Sequence, residues 1–169
     1  MIESRYLDDK IENIQRLMSI PGLKDFDTKS VAKLLKLSKI REYEDAEVII
    51  REGEQDPWMY ILLSGKVRIS KENHEISTID KKGEIFGEMR IIDSKARSAT
   101  ASAVGKTTCL AVNTTAKNRL STHPTAEDKL DFLVLLYRVF AEYLSMRLRA
   151  SNDELVAAKK KIKHLISKI

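Results

Sequence analysis

Short β-rich runs separated by glycines fill the centre of the chain, and they limit what it can fold into more than any other feature of the sequence. Six such runs are Val48–Arg51, Trp58–Leu63, Lys66–Ser70, Glu75–Asp80, Ser98–Val104 and Thr107–Asn113. Five of the six glycines fall between them, namely Gly53, Gly65, Gly83, Gly87 and Gly105. Glycine readily adopts the positive φ angles that tight turns require. Short strands joined by close turns are typical of an antiparallel sandwich or barrel.

Amphipathic helices are predicted on both sides of the β-rich region. Before it, apolar residues recur at helical spacing over residues 3–19, and Asp27 is the expected N-cap of a second helix. After it, a long helix is predicted, because no Gly or Pro follows Pro124. Its apolar residues recur every three or four positions, as in a coiled coil: Leu133, Tyr137, Phe140, Leu144, Leu148, Ser151 and Leu155, then Ile162, Leu165 or Ile166, and Ile169.

These patterns divide the chain into three parts. Residues 1–38 are predicted to form an N-terminal helical segment, residues 39–115 a β-barrel, and residues 116–169 C-terminal helices. The apolar spacing of the last part predicts a coiled-coil homodimer, because residues so far past the barrel have little else to pack against. The alternative is that the long helix packs only on its own barrel.

The sequence argues against several classes of protein. No apolar run approaches the 18 residues that suggest a membrane span, and the acidic, polar N-terminus is unlike a secretion signal, so a cytoplasmic protein is expected. The single cysteine, Cys109, lies among apolar residues and is predicted to be a buried, inert thiol. The three histidines are scattered and show no metal-ligand spacing, and no Ser, His and Asp arrangement or Walker loop is visible. We therefore expect neither a metal cofactor nor an enzyme.

The chemistry of the chain is concentrated in residues 86–100, FGEMRIIDSKARSAT. A glycine followed by a short helix offers backbone N–H groups and the helix dipole to an anion, and an arginine adds donors that match a phosphate. Glu88 would repel a phosphate but could accept a hydrogen bond from a sugar hydroxyl. Glu88 and Arg97, nine residues apart, therefore suit a sugar phosphate, although they could also form only a structural ion pair.

This segment resembles the phosphate-binding cassette of the cyclic nucleotide-binding domain family, which includes catabolite-activator-type regulators, protein kinase A regulatory subunits and gated ion channels. The matching residues are Phe86, Gly87, Glu88, Met89, Arg97, Ser98 and Ala99. The run VIIREGEQDPWMYILLSGKVRI resembles the hairpin region of the same family through Ile50, Glu52, Gly53, Tyr60, Ile61, Gly65, Val67 and Ile69. The resemblance implies an α+β fold, in which a β jelly-roll barrel is flanked by N-terminal helices and a long C-terminal helix.

The resemblance also implies a role for each residue of the cassette. Glu88 would take the ribose 2′-hydroxyl and Arg97 the cyclic phosphate, with Ser98 and the backbone N–H groups around residues 87–89 completing the cradle. The family usually has Ala, Ser or Gly where this chain has Arg90, which could reinforce the phosphate contact, fill the pocket or point outward. The predicted ligand-binding residues are Phe86, Gly87, Glu88, Met89, Arg90, Arg97, Ser98 and Ala99.

The function implied by the resemblance is that of a regulatory sensor for a cyclic nucleotide, with cAMP expected over cGMP. The long helix would close over the base, with lid candidates near Tyr137–Tyr143, and would act on a separate downstream protein. One alternative is a degenerate fold that binds no nucleotide and serves as a dimeric protein-interaction module. Another is contact with nucleic acid or an anionic membrane through Lys159–His164, which is more simply a solvated helix end. Sequence-specific DNA binding is not expected, because no recognition helix follows.

Overall fold

The computed structural model describes residues 1–5, 7, 8, 10–20, 23, 27–89, 95–115 and 126–167. Between residues 126 and 139 it describes the backbone and the side chains of Val134, Tyr137 and Arg138. The elements within these ranges are, in chain order, β1 (Ile2–Glu3), α1 (Ile11–Met18), α2 (Thr28–Lys36), β2 (Ser38–Tyr43), β3 (Val48–Ile50), β4 (Trp58–Lys71), β5 (His74–Ile79), β6 (Ile85–Phe86), β7 (Thr100–Asn113) and α3 (Ala126–Ile166).

The seven strands form one antiparallel sheet that is built around β4 and β7. The order is β1-β2-β7-β4-β5, with β3 paired to β7 and β6 paired to β4. The predicted runs at residues 58–63 and 66–70 belong to the single strand β4, and those at 98–104 and 107–113 fall largely within β7. The turns expected at Gly65 and Gly105 are therefore wrong.

Gly65 marks an irregularity inside β4 in place of a turn. The register between β4 and β7 shifts between Leu62 and Lys66, and the φ angle of Gly65 is +89°. A Cβ at this position would lie 2.5 Å from the carbonyl oxygen of Lys106. Glycine lets the two strands approach each other and lets the strand bend without ending.

Alternate residues of β4 and β7 face two different hydrophobic layers, as the period of a strand requires. Met59, Ile61, Leu110 and Val112 pack in a cluster with α1, α2 and Phe140 of α3. The residues between them pack in the second cluster, inside the barrel, and these include Tyr60, Leu62, Cys109 and Ala111. Cys109 has no exposed surface, and burial raises the pKa of its thiol to about 12, which confirms the predicted buried thiol.

The helices before the barrel differ in part from the prediction. α1 begins at Ile11 and not near residue 3, because the residues before it pair with β2: the amide of Ser4 donates to the carbonyl of Ile40 and that of Leu7 to the carbonyl of Ser38. The predicted N-cap of α2 is confirmed, since the Asp27 carboxylate accepts a hydrogen bond of 3.0 Å from the Ser30 amide. This bond supplies an acceptor for one of the unpaired N–H groups at the helix start.

The long helix α3 has a packed part and an exposed part. Phe140 is 1% exposed and packs in the cluster between the sheet and helices α1 and α2, so it is not part of the predicted coiled coil. Beyond Tyr143, every residue up to Ser167 is exposed. Among the described residues, none of the helices combines the length and the apolar character that crossing a membrane requires.

Candidate ligand-binding site

A cavity of about 280 Å³ opens between the strands of the barrel and α3. Seven of the eight predicted site residues line it: Phe86, Gly87, Glu88, Met89, Arg97, Ser98 and Ala99. The eighth, Arg90, lies outside the residues that the structure describes. The two ends of the predicted cassette, which are ten residues apart in the chain, therefore meet at one site.

Glu88 is a buried carboxylate, only 3% exposed. Burial raises its pKa above the ordinary value, although its own amide, Arg147 and Arg97 act in the opposite direction. Among the described side chains, none comes close enough to form a hydrogen bond or a salt bridge with this carboxylate. Its own backbone amide donates to it, and a ligand hydroxyl could donate to an acceptor position of the carboxylate that this amide does not use.

Arg97 is also buried, with its side chain 3% exposed, and it is held by protein acceptors. Its Nε and Nη2 donate to the two carboxylate oxygens of Asp56, at 2.9 and 2.8 Å. Nη2 also donates to the carbonyl of Trp58, and Nη1 donates to the carbonyl of Gly87. A guanidinium has five N–H donors, so one N–H on Nη1 is left for a phosphate.

Gly87 is required where the cassette passes the guanidinium. Its φ angle is +78°, in the region that favours glycine. A Cβ there would lie 2.7 Å from Cδ1 of Ile50 and 2.9 Å from Nη1 of Arg97. Glycine thus permits both the turn and the close approach of Arg97 to the backbone.

The remaining wall of the cavity is mostly apolar, which suits the face of a base. It includes the exposed side chains of Met89 (53%) and Ile76 (59%), together with buried residues of the barrel. The hydroxyl of Ser98 is at the surface, 3.7 Å from Sδ of Met89, where a ligand can reach it. The apolar lining residues are Ile50, Ile69, Ile76, Ile79, Phe86, Met89, Ala99 and Ala101.

The aromatic residues near the start of β4 act in packing, as predicted. Tyr60 is 2% exposed and stacks on Phe86, with ring centroids 5.2 Å apart. The guanidinium of Arg41 lies 4.0 Å from the centre of the Trp58 ring, and Arg41 also donates to the Tyr60 hydroxyl. Neither aromatic residue of β4 lines the cavity.

Three residues of this site were not found from the sequence. Asp56, the partner of Arg97, lies 41 residues before it, and no local spacing reveals such a pair. Lys71 at the end of β4 and Arg147 of α3 line the rim of the cavity. Arg147 could have been found, because it follows Phe140 by two helical turns and Tyr143 by one, and so shares the inward face of α3.

α3 reaches the cavity with Arg147, and Tyr143 lies one helical turn before it. Tyr143 packs against the core cluster that contains Phe140, and the Arg147 guanidinium lies 5.8 Å from the centre of its ring. The Tyr143 hydroxyl is buried. Burial raises its pKa to about 12, and the nearby Glu84 and Glu88 carboxylates act in the same direction. Arg147 and a hydrogen bond from the backbone amide of Ile85 both act to lower this pKa. Tyr137 is 49% exposed, and neither Tyr137 nor Tyr143 is among the residues that line the cavity.

The described residues contain no group of three or more His, Cys, Asp or Glu side chains that could hold a metal ion. The arrangement instead consists of one buried acid, one buried arginine, two rim cations and an apolar wall. These groups can bind an anion that also carries a hydroxyl and an apolar face.

Comparisons with known proteins match this arrangement to one family. Residues 40–122 match the cyclic nucleotide-binding domain. The chain is 35% identical over 98 residues to human cGMP-dependent protein kinase 2, a match that covers 54% of the chain and 12% of the kinase. It is 30% identical over 86 residues to the cAMP-dependent protein kinase regulatory subunit of Dictyostelium discoideum, covering 46% of the chain and 26% of that subunit. The chain thus matches only 12% and 26% of the lengths of these two relatives.

The fold is also similar to that of a solved structure. A cyclic nucleotide-binding domain from Methylobacillus flagellatus superposes with a TM-score of 0.64 at 21% identity, covering 86% of this chain and 81% of that one. This likeness confirms the predicted jelly-roll barrel with its flanking helices. The match over residues 40–122 and the two sequence relatives agree that this part of the chain is a cyclic nucleotide-binding domain.

Proposed function

We propose that this chain binds a cyclic nucleotide in the cavity and acts as a sensor rather than as a catalyst. The observation that carries the proposal is Glu88, a buried carboxylate that accepts from none of the described side chains and lines the same cavity as Arg97 and Ser98. A ribose 2′-hydroxyl would donate to Glu88. The cyclic phosphate would lie against the remaining N–H of Arg97, the Ser98 hydroxyl and the backbone around Gly87.

The charges around the cavity favour a ligand with a single negative charge. Arg97 is paired with Asp56, so the other charges among the described lining residues are Glu88 and the two rim cations, Lys71 and Arg147. Together they leave one positive charge. A cyclic phosphodiester carries one negative charge, whereas a phosphate monoester carries about −1.5 to −2 at neutral pH. The site should therefore prefer a cyclic nucleotide to the corresponding 5′-monophosphate.

We expect cAMP to bind more tightly than cGMP. The names of the two sequence relatives refer to both nucleotides, and neither name decides for this chain. The Thr100 hydroxyl accepts a hydrogen bond of 3.1 Å from the Glu52 amide, so part of its capacity is used within the barrel. The predominantly apolar wall offers few groups to pair with the additional polar groups of guanine.

The proposal is tested by calorimetric titration of the full chain with cAMP, cGMP and 5′-AMP, after any co-purified nucleotide has been removed. We expect one-to-one binding, in the order cAMP, cGMP, 5′-AMP. Folded, nucleotide-free protein that binds none of the three at millimolar concentration would overturn the proposal.

The competing function is that of a degenerate fold which serves only in protein interaction. The observation in its favour is that most Arg97 donors already have protein acceptors. Arg90→Ala separates the two possibilities if the wild type does not bind. Should the Arg90 side chain block the cavity, this variant gains nucleotide affinity.

A homodimer through α3 is the second part of the proposal. An exposed stripe recurs every three or four residues along the outer half of the helix, and we call it the α3 seam: Leu144, Leu148, Ser151, Leu155, Ala158, Ile162 and Leu165. An isolated helix of this kind has little to stabilise it in water, and a second copy would cover the seam. A nucleotide that changes the position of α3 would then change the dimer, or the surface that the dimer offers to a downstream protein.

A further inference from the structure

We propose that Arg41, a residue of β2 outside the cavity, positions both ends of the cassette (residues 86–100), and that Glu3 of β1 holds Arg41 in place. The inference rests on the proposed function and extends it to two strands, β1 and β2, that supply none of the described residues lining the cavity. Arg41 touches no ligand in this arrangement, and its effect on affinity passes through two residues of β4.

The first step is the way in which the Arg41 guanidinium is fixed. Its side chain is 11% exposed, and its Nε donates to the Glu3 carboxylate at 2.6 Å. Nη1 donates to the Tyr60 hydroxyl at 2.8 Å, and the guanidinium carbon lies 4.0 Å from the centre of the Trp58 ring. The other oxygen of Glu3 accepts from Lys39 at 2.5 Å, so this carboxylate is itself held on two sides. Stacking on an indole together with directed bonds to two acceptors is a geometry that arginine provides and lysine does not.

The second step concerns the start of the cassette. The ring of Tyr60 stacks on the ring of Phe86, with an interplanar angle of 14°, and the two residues are partners in the pairing of β4 with β6. Phe86 directly precedes Gly87 in the chain. The Tyr60 hydroxyl is held by Arg41 and has only a longer contact, of 3.5 Å, with the carbonyl of Ile49. Arg41 therefore limits the movement of the ring on which Phe86 rests.

The third step concerns the end of the cassette, where Arg97 lies. The Trp58 carbonyl accepts a hydrogen bond from Nη2 of Arg97, and the Trp58 amide donates to Oδ1 of Asp56 at 3.0 Å. Asp56 is the ion-pair partner of Arg97. Because Arg41 packs on the indole of this same tryptophan, it helps to fix the residue that presents these groups. Both ends of the cassette thus rest on the two β4 residues that Arg41 contacts.

Arg41→Met tests the positioning role, because methionine keeps an unbranched apolar side chain near Trp58 and removes the guanidinium. We expect cAMP affinity to fall about fivefold, measured by calorimetry at a temperature at which thermal scans show the variant to be folded. A purely structural role would lower the melting temperature and leave the affinity of the folded protein unchanged. Arg68→Met is the matched control and should not change affinity, because Arg68 pairs with Glu75 at the surface of the sheet, at 3.2 Å, and does not line the cavity.

Glu3→Gln tests the role of β1. It should lower cAMP affinity about threefold in the wild type and have no effect in the Arg41→Met background, because Glu3 acts only through Arg41. Glu42→Gln is the matched control, since it removes an ion pair with Lys106 at 3.6 Å in the same part of the sheet and should leave affinity unchanged. Equal losses from Glu3→Gln in both backgrounds would overturn the role given to β1.

Trp58 supplies a readout that a role in stability alone would not change. It is the single tryptophan of the chain and lies outside the described lining of the cavity. Saturating cAMP should change its fluorescence emission, because its carbonyl holds Arg97, and the change should be smaller in Arg41→Met, where no guanidinium stacks on the indole. Wild-type protein that binds cAMP, together with Arg41→Met and Glu3→Gln variants that bind within twofold of it, would overturn this inference and leave the proposed function standing. Wild-type protein that binds no nucleotide would overturn both.

Discussion

Arg97 combines two tasks at the scale of a single residue. Its backbone pairs with the loop between β3 and β4, through the carbonyl of Glu54 and the amide of Gly53, and its side chain pairs with Asp56 in the same loop. The arginine that was predicted to hold a phosphate thus also joins the end of the cassette to the start of β4. Loss of ligand binding on its removal is therefore not, by itself, evidence of a phosphate contact.

Arg97→Ala is expected to unfold the protein more easily, as well as to weaken binding. Breaking a buried ion pair by removing one partner costs about 3–5 kcal/mol, so the melting temperature should fall by roughly 10 °C. Arg51→Ala is the matched control, because Arg51 pairs with Glu54 at the surface, at 3.5 Å, and such pairs contribute little. Thermal unfolding of both variants checks this, and equal melting temperatures would show that the ion pair between Arg97 and Asp56 does not stabilise the fold.

Ionised Glu88 is expected to lower the free energy of unfolding of the ligand-free protein, while it contributes to ligand affinity. Its pKa is raised in the folded state, so ionisation costs folding energy. The cost is absent at low pH, where the carboxyl is neutral in folded and unfolded chains, and it develops as pH rises through the raised pKa.

Glu88→Gln should therefore raise the melting temperature near pH 7 but have little effect near about pH 4. The same variant should lose cAMP affinity by about tenfold or more, because a hydrogen bond to a charged acceptor is lost. Thermal scans across this pH range, paired with calorimetry, measure both effects. A variant less stable than the wild type at neutral pH would show that Glu88 has a stabilising partner.

At the scale of elements, periodicity and glycine placement predicted the helices and most of the sheet. They did not predict that β4 and β7 are long, continuous strands. The glycine that signals a turn also permits a bulge, and only the pairing of β4 with β7 distinguishes the two at Gly65. β2 (SKIREY) was not predicted as a strand, because apolar and polar residues do not alternate regularly along it. Glu3 of β1 was placed in a helical stretch, because β1 is extended only through its pairing with β2.

The candidate site, too, could be predicted only in part from the sequence. The cassette residues could be predicted because they are close in sequence and form a known pattern. Asp56 could not be placed with them, since only the fold brings its distant segment to Arg97. The spacing of Arg147 after Phe140 was a usable signal for the helix face, but the sequence alone does not show that this face meets the cassette. Phe140 was assigned to the coiled coil because it shares the helical period of the seam. In the structure it is buried between the sheet and helices α1 and α2.

At the scale of the whole molecule, the orientation of a dimer can be tested through one pair of charges. In a parallel coiled coil along the α3 seam, Glu154 of one copy would lie beside Lys159 of the partner subunit, because the two positions flank the seam at the spacing that joins neighbouring helices. Both residues are exposed here. An antiparallel dimer would not bring them together.

Glu154→Lys should weaken the dimer about fivefold, since two attractive contacts become repulsive. The double variant Glu154→Lys with Lys159→Glu should restore it. Analytical ultracentrifugation at low salt measures the dissociation constants. Failure of the double variant to recover, with a dimeric wild type, would rule out the parallel arrangement.

The length of α3 has a mechanical consequence. The 20 residues from Arg147 to Ile166 extend for about 28 Å at the rise of an α-helix, and all of them are exposed. A swing of about 10° at the cavity would carry the tip of this rod through about 5 Å by the same geometry. If α3 moves in this way, it would pivot at the point where Phe140 is buried. A partner bound near its tip would sense a displacement far larger than any that takes place around the ligand.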